Sequence, residues 1–184
     1  MDKNIAVVIS SKKTTEETKD FIEHIKETCG CDTHVYLIHN PNGVSISKIY
    51  ADMIDSQEVD SDVIVFIHDD IEFLRKGWGA EVLRLFNTHE DYGIIGVAGS
   101  AQFDENGAWW NYEKKYGQVL HRNEGKSWLT AFSPLLDKDL QDVVVIDGLF
   151  MGVHKKRVSK NFNRELLGFD FYDIWFCLSN YFDG

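Results

Sequence analysis

Val63-Ile64-Val65-Phe66-Ile67-His68-Asp69-Asp70-Ile71-Glu72-Phe73 decides how this chain is read, because an apolar, β-branched run stops abruptly at a cluster of acids. A run of this kind predicts a strand buried on both faces, as in a parallel sheet covered by helices. The acids then fall at the carboxyl end of the strand. Open α/β sheets bind ligands at that edge, and adjacent carboxylates there suit a hard cation that carries phosphate.

Outward from this strand, the first hundred residues alternate between the two periodicities. Ile5 to Ile9 and Val35 to Ile38 read as strands. Between them, Thr14-x-x-Glu17 is a capping box that opens a helix with Phe21, Ile22 and Ile25 on its apolar face. After the turn Asn40-Pro41-Asn42-Gly43, the residues Ile46, Ile49, Tyr50, Met53 and Ile54 recur at helical spacing. Trp78 to Phe86 predicts a helix, and Gly93 to Val97 a fourth strand running into Ala98-Gly99-Ser100. The order βαβαβαβ implies an α/β fold: one Rossmann-like domain with a mostly parallel central sheet flanked by helices. From Ala101 to Asp142 neither period is sustained, which predicts long loops with short strands. The aromatics Trp109, Trp110, Tyr112, Tyr116 and Trp128 in that stretch argue for a binding role over disorder. Val143 to Ile146 reads as a strand ending in Asp147-Gly148, and Tyr172 to Tyr181 as an apolar helix.

Composition sets the outer bounds. With 184 residues, 43% of them hydrophobic, the chain can core one domain but hardly two. No apolar run approaches the roughly 20 residues that span a bilayer, and the start leads into a strand and not into a signal-peptide core, so a cytoplasmic protein is expected. Peripheral association with the inner face of the membrane is compatible with this. Cys29, Cys31 and Cys177 are odd in number, and Cys-x-Cys is not a zinc-knuckle spacing, so reduced, packed thiols are expected. A formal charge of −11 argues against nucleic acid or an anionic membrane surface as partner of the domain body. An anionic ligand then needs local positive charge, which a divalent ion on the acid cluster would supply. The chain has no Gly-rich phosphate loop, which disfavours kinases and dehydrogenases.

Four segments taken together resemble a known family. They are Val65-Phe66-Ile67-His68-Asp69-Asp70, Ile95-Gly96-Val97-Ala98-Gly99-Ser100, Val145-Ile146-Asp147-Gly148-Leu149-Phe150-Met151 and Gly168-Phe169-Asp170-Phe171-Tyr172-Asp173. In this order and spacing, over nearly the whole chain, they are similar to nucleotide-diphospho-sugar glycosyltransferases of the GT-A fold, in the family 2-like, bacterial glycosyltransferase-like branch. The resemblance implies a nucleotide-sugar-binding half over residues 1–100 and an acceptor-binding half over 101–184. It also implies a longer C-terminal end than Phe182-Asp183-Gly184 provides.

The implied activity is metal-dependent, inverting transfer of a sugar from a nucleoside diphosphate sugar to a glycan or lipid-linked acceptor, with Mn²⁺ or Mg²⁺ as cofactor. Asp70 corresponds to the usual metal ligand of the family's Asp-x-Asp signature, and Asp69 to a ribose or metal contact. His68 replaces the first acid of the signature, and because imidazole favours softer ions than Mg²⁺, Mn²⁺ gains. The competing reading has these acids merely ending a strand at solvent. Asp173 corresponds to the family's base, with Asp170 as the second candidate, although Asp173 also suits a helix cap. Asp147 and Gly148 fall near the acceptor or form an ordinary turn. Ser10, Ser11, His39 and Asn40 follow the first two strands, where the family contacts base and ribose and where loops are polar in any case. Trp109 and Trp110 suit either sugar stacking or the core. The second hypothesis is a non-catalytic nucleotide-sugar or glycan-binding domain of the same fold.

Overall fold

The computed structural model describes residues 3–103, 107–134 and 138–183. Met1, Asp2 and Gly184, at the bounds of the expected domain, lie outside the described residues, as do parts of the expected loops. In chain order the elements are β1 (Asn4–Ser11), α1 (Lys19–Cys29), β2 (Asp32–His39), α2 (Ile46–Asp55), β3 (Val63–Ile67), α3 (Trp78–Thr88), β4 (Ile94–Gly96) and β5 (Ala98–Ser100). A 3₁₀ turn (Trp109–Asn111), β6 (Lys115–Asn123), β7 (Lys126–Ala131), β8 (Val145–Ile146), β9 (Phe150–His154) and α4 (Tyr172–Asp183) follow.

The central sheet has the order β2-β1-β3-β9-β4. β1 pairs parallel with β2 and β3, whereas β9 pairs antiparallel with both β3 and β4. Four of the five strands therefore point one way, and the α/β, mostly parallel fold is the one observed. The intervening β9 departs from the simple βαβ succession. Its residues Phe-Met-Gly-Val-His follow the Asp147-Gly148 turn and are buried throughout, so they lack the alternation that marks a strand with one solvated face. Phe150 stands opposite Ile67, and His154 opposite Val63. β9 thus starts at the carboxyl edge of β3 and runs back, which brings Asp147 and Gly148 to the edge where the acids lie.

Alternation along β1 and β3 builds two cores. Ile5, Val7, Ile9, Val63, Val65 and Ile67 pack with Ile25, Val82 and Phe86 of α1 and α3. Ala6, Val8, Ile64 and Phe66 pack with Tyr50 of α2 and Phe176 of α4. This two-sided cover explains the unbroken apolar run of β3, all five residues of which are buried. Phe66 lies 4.3 Å from the Tyr50 ring and 5.3 Å from Phe162, centroid to centroid. Truncating such a side chain to alanine typically costs about 3–5 kcal/mol.

The expected fourth strand divides at Val97. β4 stays in the central sheet, and β5 enters a second, antiparallel sheet of order β7-β6-β5-β8. The stretch expected as loops with short strands holds the nine-residue β6 and its hairpin partner β7. The Thr14–Glu17 capping box forms, with Thr14 N donating to Glu17 Oε2 at 2.8 Å. It closes a turn ahead of α1, which begins at Lys19.

Candidate active site

The carboxyl ends of β1, β2 and β3 open onto a cleft of about 530 Å³ lined by Ser10, Ser11, Lys12, Lys13, Asn40, Asp69 and Phe169, among others. Ser11 is 3% exposed and donates its hydroxyl to Asp69 Oδ2. Lys13 Nζ lies 3.6 Å from the same carboxylate oxygen and donates to the Asp69 carbonyl at 3.2 Å. Asn40 braces the next loop: its Oδ1 accepts Val44 N at 2.7 Å, and its Nδ2 donates to Val44 O at 2.8 Å and to Ser10 Oγ at 3.4 Å. Asp70 is exposed, without a side-chain hydrogen bond among the described residues. Glu72 pairs with Arg122 of the β6–β7 hairpin at 3.2 Å, where both are exposed.

A second cluster adjoins this one. His68 packs on the Phe169 ring at 5.1 Å, and its Nε2 lies 3.0 Å from Tyr172 Oη. The Tyr172 hydroxyl is also 3.1 Å from the Gly148 carbonyl, which can only accept. Both contacts are satisfied together when Tyr172 donates to Gly148 and Nε2–H donates to Tyr172, which leaves Nδ1 as the face His68 can offer a ligand. Asp173, in the first turn of α4, is half-buried. Its Oδ2 accepts Gly148 N at 2.9 Å and its Oδ1 accepts Ile174 N at 2.8 Å. Burial pushes its carboxyl up from the ordinary carboxylate range, and the charge of Asp147 adds to this, while the backbone N–H groups oppose it. Asp147 Oδ1 accepts Leu149 N at 2.9 Å.

Gly148 is required by its neighbours. A Cβ there would lie 2.1 Å from Tyr172 Oη and 3.2 Å from Asp173 Oδ2, so the space beside the glycine is taken by the Tyr172 hydroxyl. Tyr50 lies beneath both clusters, fully buried, with its ring 5.6 Å from that of Tyr172. Its hydroxyl finds no partner among the described residues. Burial raises its pKa, and the charges of Asp69 and Asp173 raise it further.

Of the residues picked out in the sequence, Ser10, Ser11, Asn40 and Asp69 share the cleft, and His68, Asp147, Gly148 and Asp173 meet beside it. His39 ends β2, exposed and outside the cleft lining; Asp170 is exposed in the loop before α4. Trp109 is 3% exposed and sits in the core against Phe132, whereas the neighbouring Trp110 is 51% exposed. Sequence reasoning missed Lys13, Tyr172 and Tyr50. The adjacent cations Lys12-Lys13 directly after a strand, in a chain of charge −11, were the available signal.

Among the described residues, no group of three or more His, Cys, Asp or Glu is arranged to hold a metal ion. The donor set fits another manner of binding. Mg²⁺ and comparable hard ions attach through one or two carboxylates together with substrate phosphates, and Asp69 and the exposed Asp70 are two adjacent carboxylates at the end of β3, one oxygen of Asp69 being held by Ser11 and Lys13. No described helix is long and apolar enough to cross a membrane. The family model described as a glycosyltransferase-like family matches residues 4–181. No curated protein matches the chain.

Proposed function

The chain belongs to this glycosyltransferase-like family, and on that premise we propose that it transfers a sugar from a nucleoside diphosphate sugar to a glycan or lipid-linked saccharide, with inversion at the anomeric carbon. The observation that carries the reading is Asp173. It is a carboxylate raised by burial, fixed through Gly148, and adjacent to the cleft at the end of β3.

In this reading the diphosphate lies over Ser11, Lys12 and Lys13, where two ammonium groups offset its charge in an otherwise acidic protein. Asp69 and Asp70 would hold Mn²⁺ or Mg²⁺, which supplies Lewis-acid stabilisation of the leaving diphosphate. Asp173 takes the proton of the acceptor hydroxyl as its oxygen attacks the anomeric carbon, and the backbone N–H groups on its two oxygens aim the free lone pairs. Burial suits the carboxylate to this work, because a base with a raised pKa holds the proton better.

The test is calorimetric binding of uridine, guanosine, thymidine and cytidine diphosphates, with and without Mn²⁺, to wild type and Asp70→Ala, followed by sugar-transfer assays with the matching donors. Metal-dependent binding that Asp70→Ala abolishes, together with turnover that Asp173→Asn abolishes, supports the transferase. Binding without any turnover favours a nucleotide-sugar or glycan-binding domain, the reading to which the existing Lys13–Asp69 ion pair lends weight. Folded protein that binds no nucleotide overturns the transferase and the nucleotide-sugar-binding domain alike.

A further inference from the structure

At the opposite edge of the central sheet from the cleft, α1 ends at Cys29, Gly30 takes the left-handed C-cap, and Cys31 leads into β2. The reversal at Gly30 turns both thiols to one side, with 3.4 Å between the sulfurs. Thr33 Oγ1 lies 2.7 Å from Cys29 Sγ and 3.8 Å from Cys31 Sγ. Cys29 is fully buried and Cys31 is half-buried, so one sulfur of the pair faces reagents and the other is held behind it.

We propose that Cys29 and Cys31 form a reversible dithiol site, which a low-molecular-weight disulfide of the glutathione class oxidises to an intramolecular disulfide. The sulfurs already touch, and closing to a bond of about 2.05 Å needs a shift of roughly 1.4 Å. The hydrogen bond between them lowers the Cys29 thiol to about 7 and raises that of Cys31, so the two sulfurs share one proton near neutrality. The retained proton rests on Cys31, and its passage across the 3.4 Å contact to Cys29 makes the accessible Cys31 sulfur the thiolate that attacks the small disulfide, forms a mixed disulfide and expels one thiolate. That thiolate takes the proton from Cys29, whose sulfur attacks Cys31 and expels the second thiolate, which takes up the proton of the original Cys31 thiol from water. The protein loses two electrons and two protons, and one small disulfide becomes two small thiols.

The change has a mechanical reach. A Cβ on Gly79 would lie 2.2 Å from Cys29 Sγ, and one on Gly30 would lie 2.7 Å from Gly77 Cα, so the thiol fills the contact between α1 and the start of α3. Drawing Cys29 toward Cys31 withdraws it from that contact. Cys177, buried in α4 and pushed up to about 12 by burial, lies in the other core from Cys29 and Cys31 and serves as an internal control.

The experiment equilibrates the folded wild-type protein in glutathione buffers of graded oxidation, quenches with acid, alkylates the free thiols and maps the peptides by mass. The expected product lacks two hydrogens, links Cys29 to Cys31 and leaves Cys177 alkylated. Its share rises from a tenth to nine tenths over a roughly hundredfold change in the buffer ratio, as a single two-electron couple requires. Cys31→Ser, shown to be folded by circular dichroism, forms no such product. The proposal fails if both thiols of folded wild type stay alkylatable throughout, if a glutathione adduct accumulates in place of the disulfide, or if the link uses Cys177.

Discussion

Tyr172 donates its hydroxyl to the carbonyl of Gly148 at 3.1 Å while Gly148 N donates to Asp173 at 2.9 Å, so the backbone of one glycine fixes two consecutive residues of α4. The base candidate and the partner of His68 are therefore set by the same backbone.

Gly148→Ala tests that arrangement. The new Cβ falls 2.1 Å from Tyr172 Oη, and overpacking of this kind costs about 1–3 kcal/mol. Urea denaturation is expected to register that loss, and any transfer activity should fall by about 100-fold through misplacement of Asp173. Adding Tyr172→Phe removes the oxygen but leaves the ring Cζ 2.6 Å from the new Cβ, so neither stability nor activity should recover.

Asp173→Asn removes the base. Turnover is expected to drop by about 10²–10⁴-fold with nucleotide affinity unchanged, as measured by transfer assay and calorimetry.

The pH profile follows from the direction of the Asp173 shift. The base works ionised and its pKa is raised, so kcat/KM should climb with pH along a limb displaced upward from the ordinary carboxylate value of about 4. The same shift acts on stability with the opposite sense. The folded state holds the Asp173 proton more tightly than the unfolded chain, so this contribution is full below the unfolded pKa and fades as pH rises through the folded one. A profile limb at or below the value of a free carboxylate would remove Asp173 from the role.

Lys13→Met leaves Asp69 with Ser11 as its remaining side-chain partner. Metal-free binding of nucleoside diphosphate is expected to weaken about tenfold, close to 1.4 kcal/mol, with the loss shrinking at high salt. Mn²⁺ should bind the variant more tightly, because an ammonium no longer competes for the carboxylate. Titrations at two salt concentrations read both effects.

Tyr50→Phe deletes a buried hydroxyl that has no partner among the described residues. Relieving an unpaired polar group should raise stability by about 1 kcal/mol, measured by denaturant midpoint. A loss of stability would mean that the hydroxyl is bonded in solution.

The sequence made β3 legible to the residue, since an apolar run covered on both sides and ended by acids has few other solutions. The family resemblance brought out Ser11, Asn40 and Asp69, and the parallel strands β1, β2 and β3 carry all three to one edge. β9 was hidden because its middle glycine and complete burial erase alternation, and the division at Val97 because two three-residue strands look like one. The bonds of Tyr172 to His68 and Gly148 join residues 104 and 24 positions apart, and no local pattern encodes a meeting at that range.

The position of β9 between β3 and β4 also governs the order in which the molecule can be made. A nascent chain can assemble β2-β1-β3 early, but the free side of β3 waits for residues 150–154, and β4, although synthesised long before, has no seat until they arrive. Sheet closure is thus a late, long-range event that leaves an apolar strand edge open during synthesis, the circumstance in which folding slows and chains associate wrongly. Truncations ending before Phe150 are expected to aggregate, as read by sedimentation of the expressed protein.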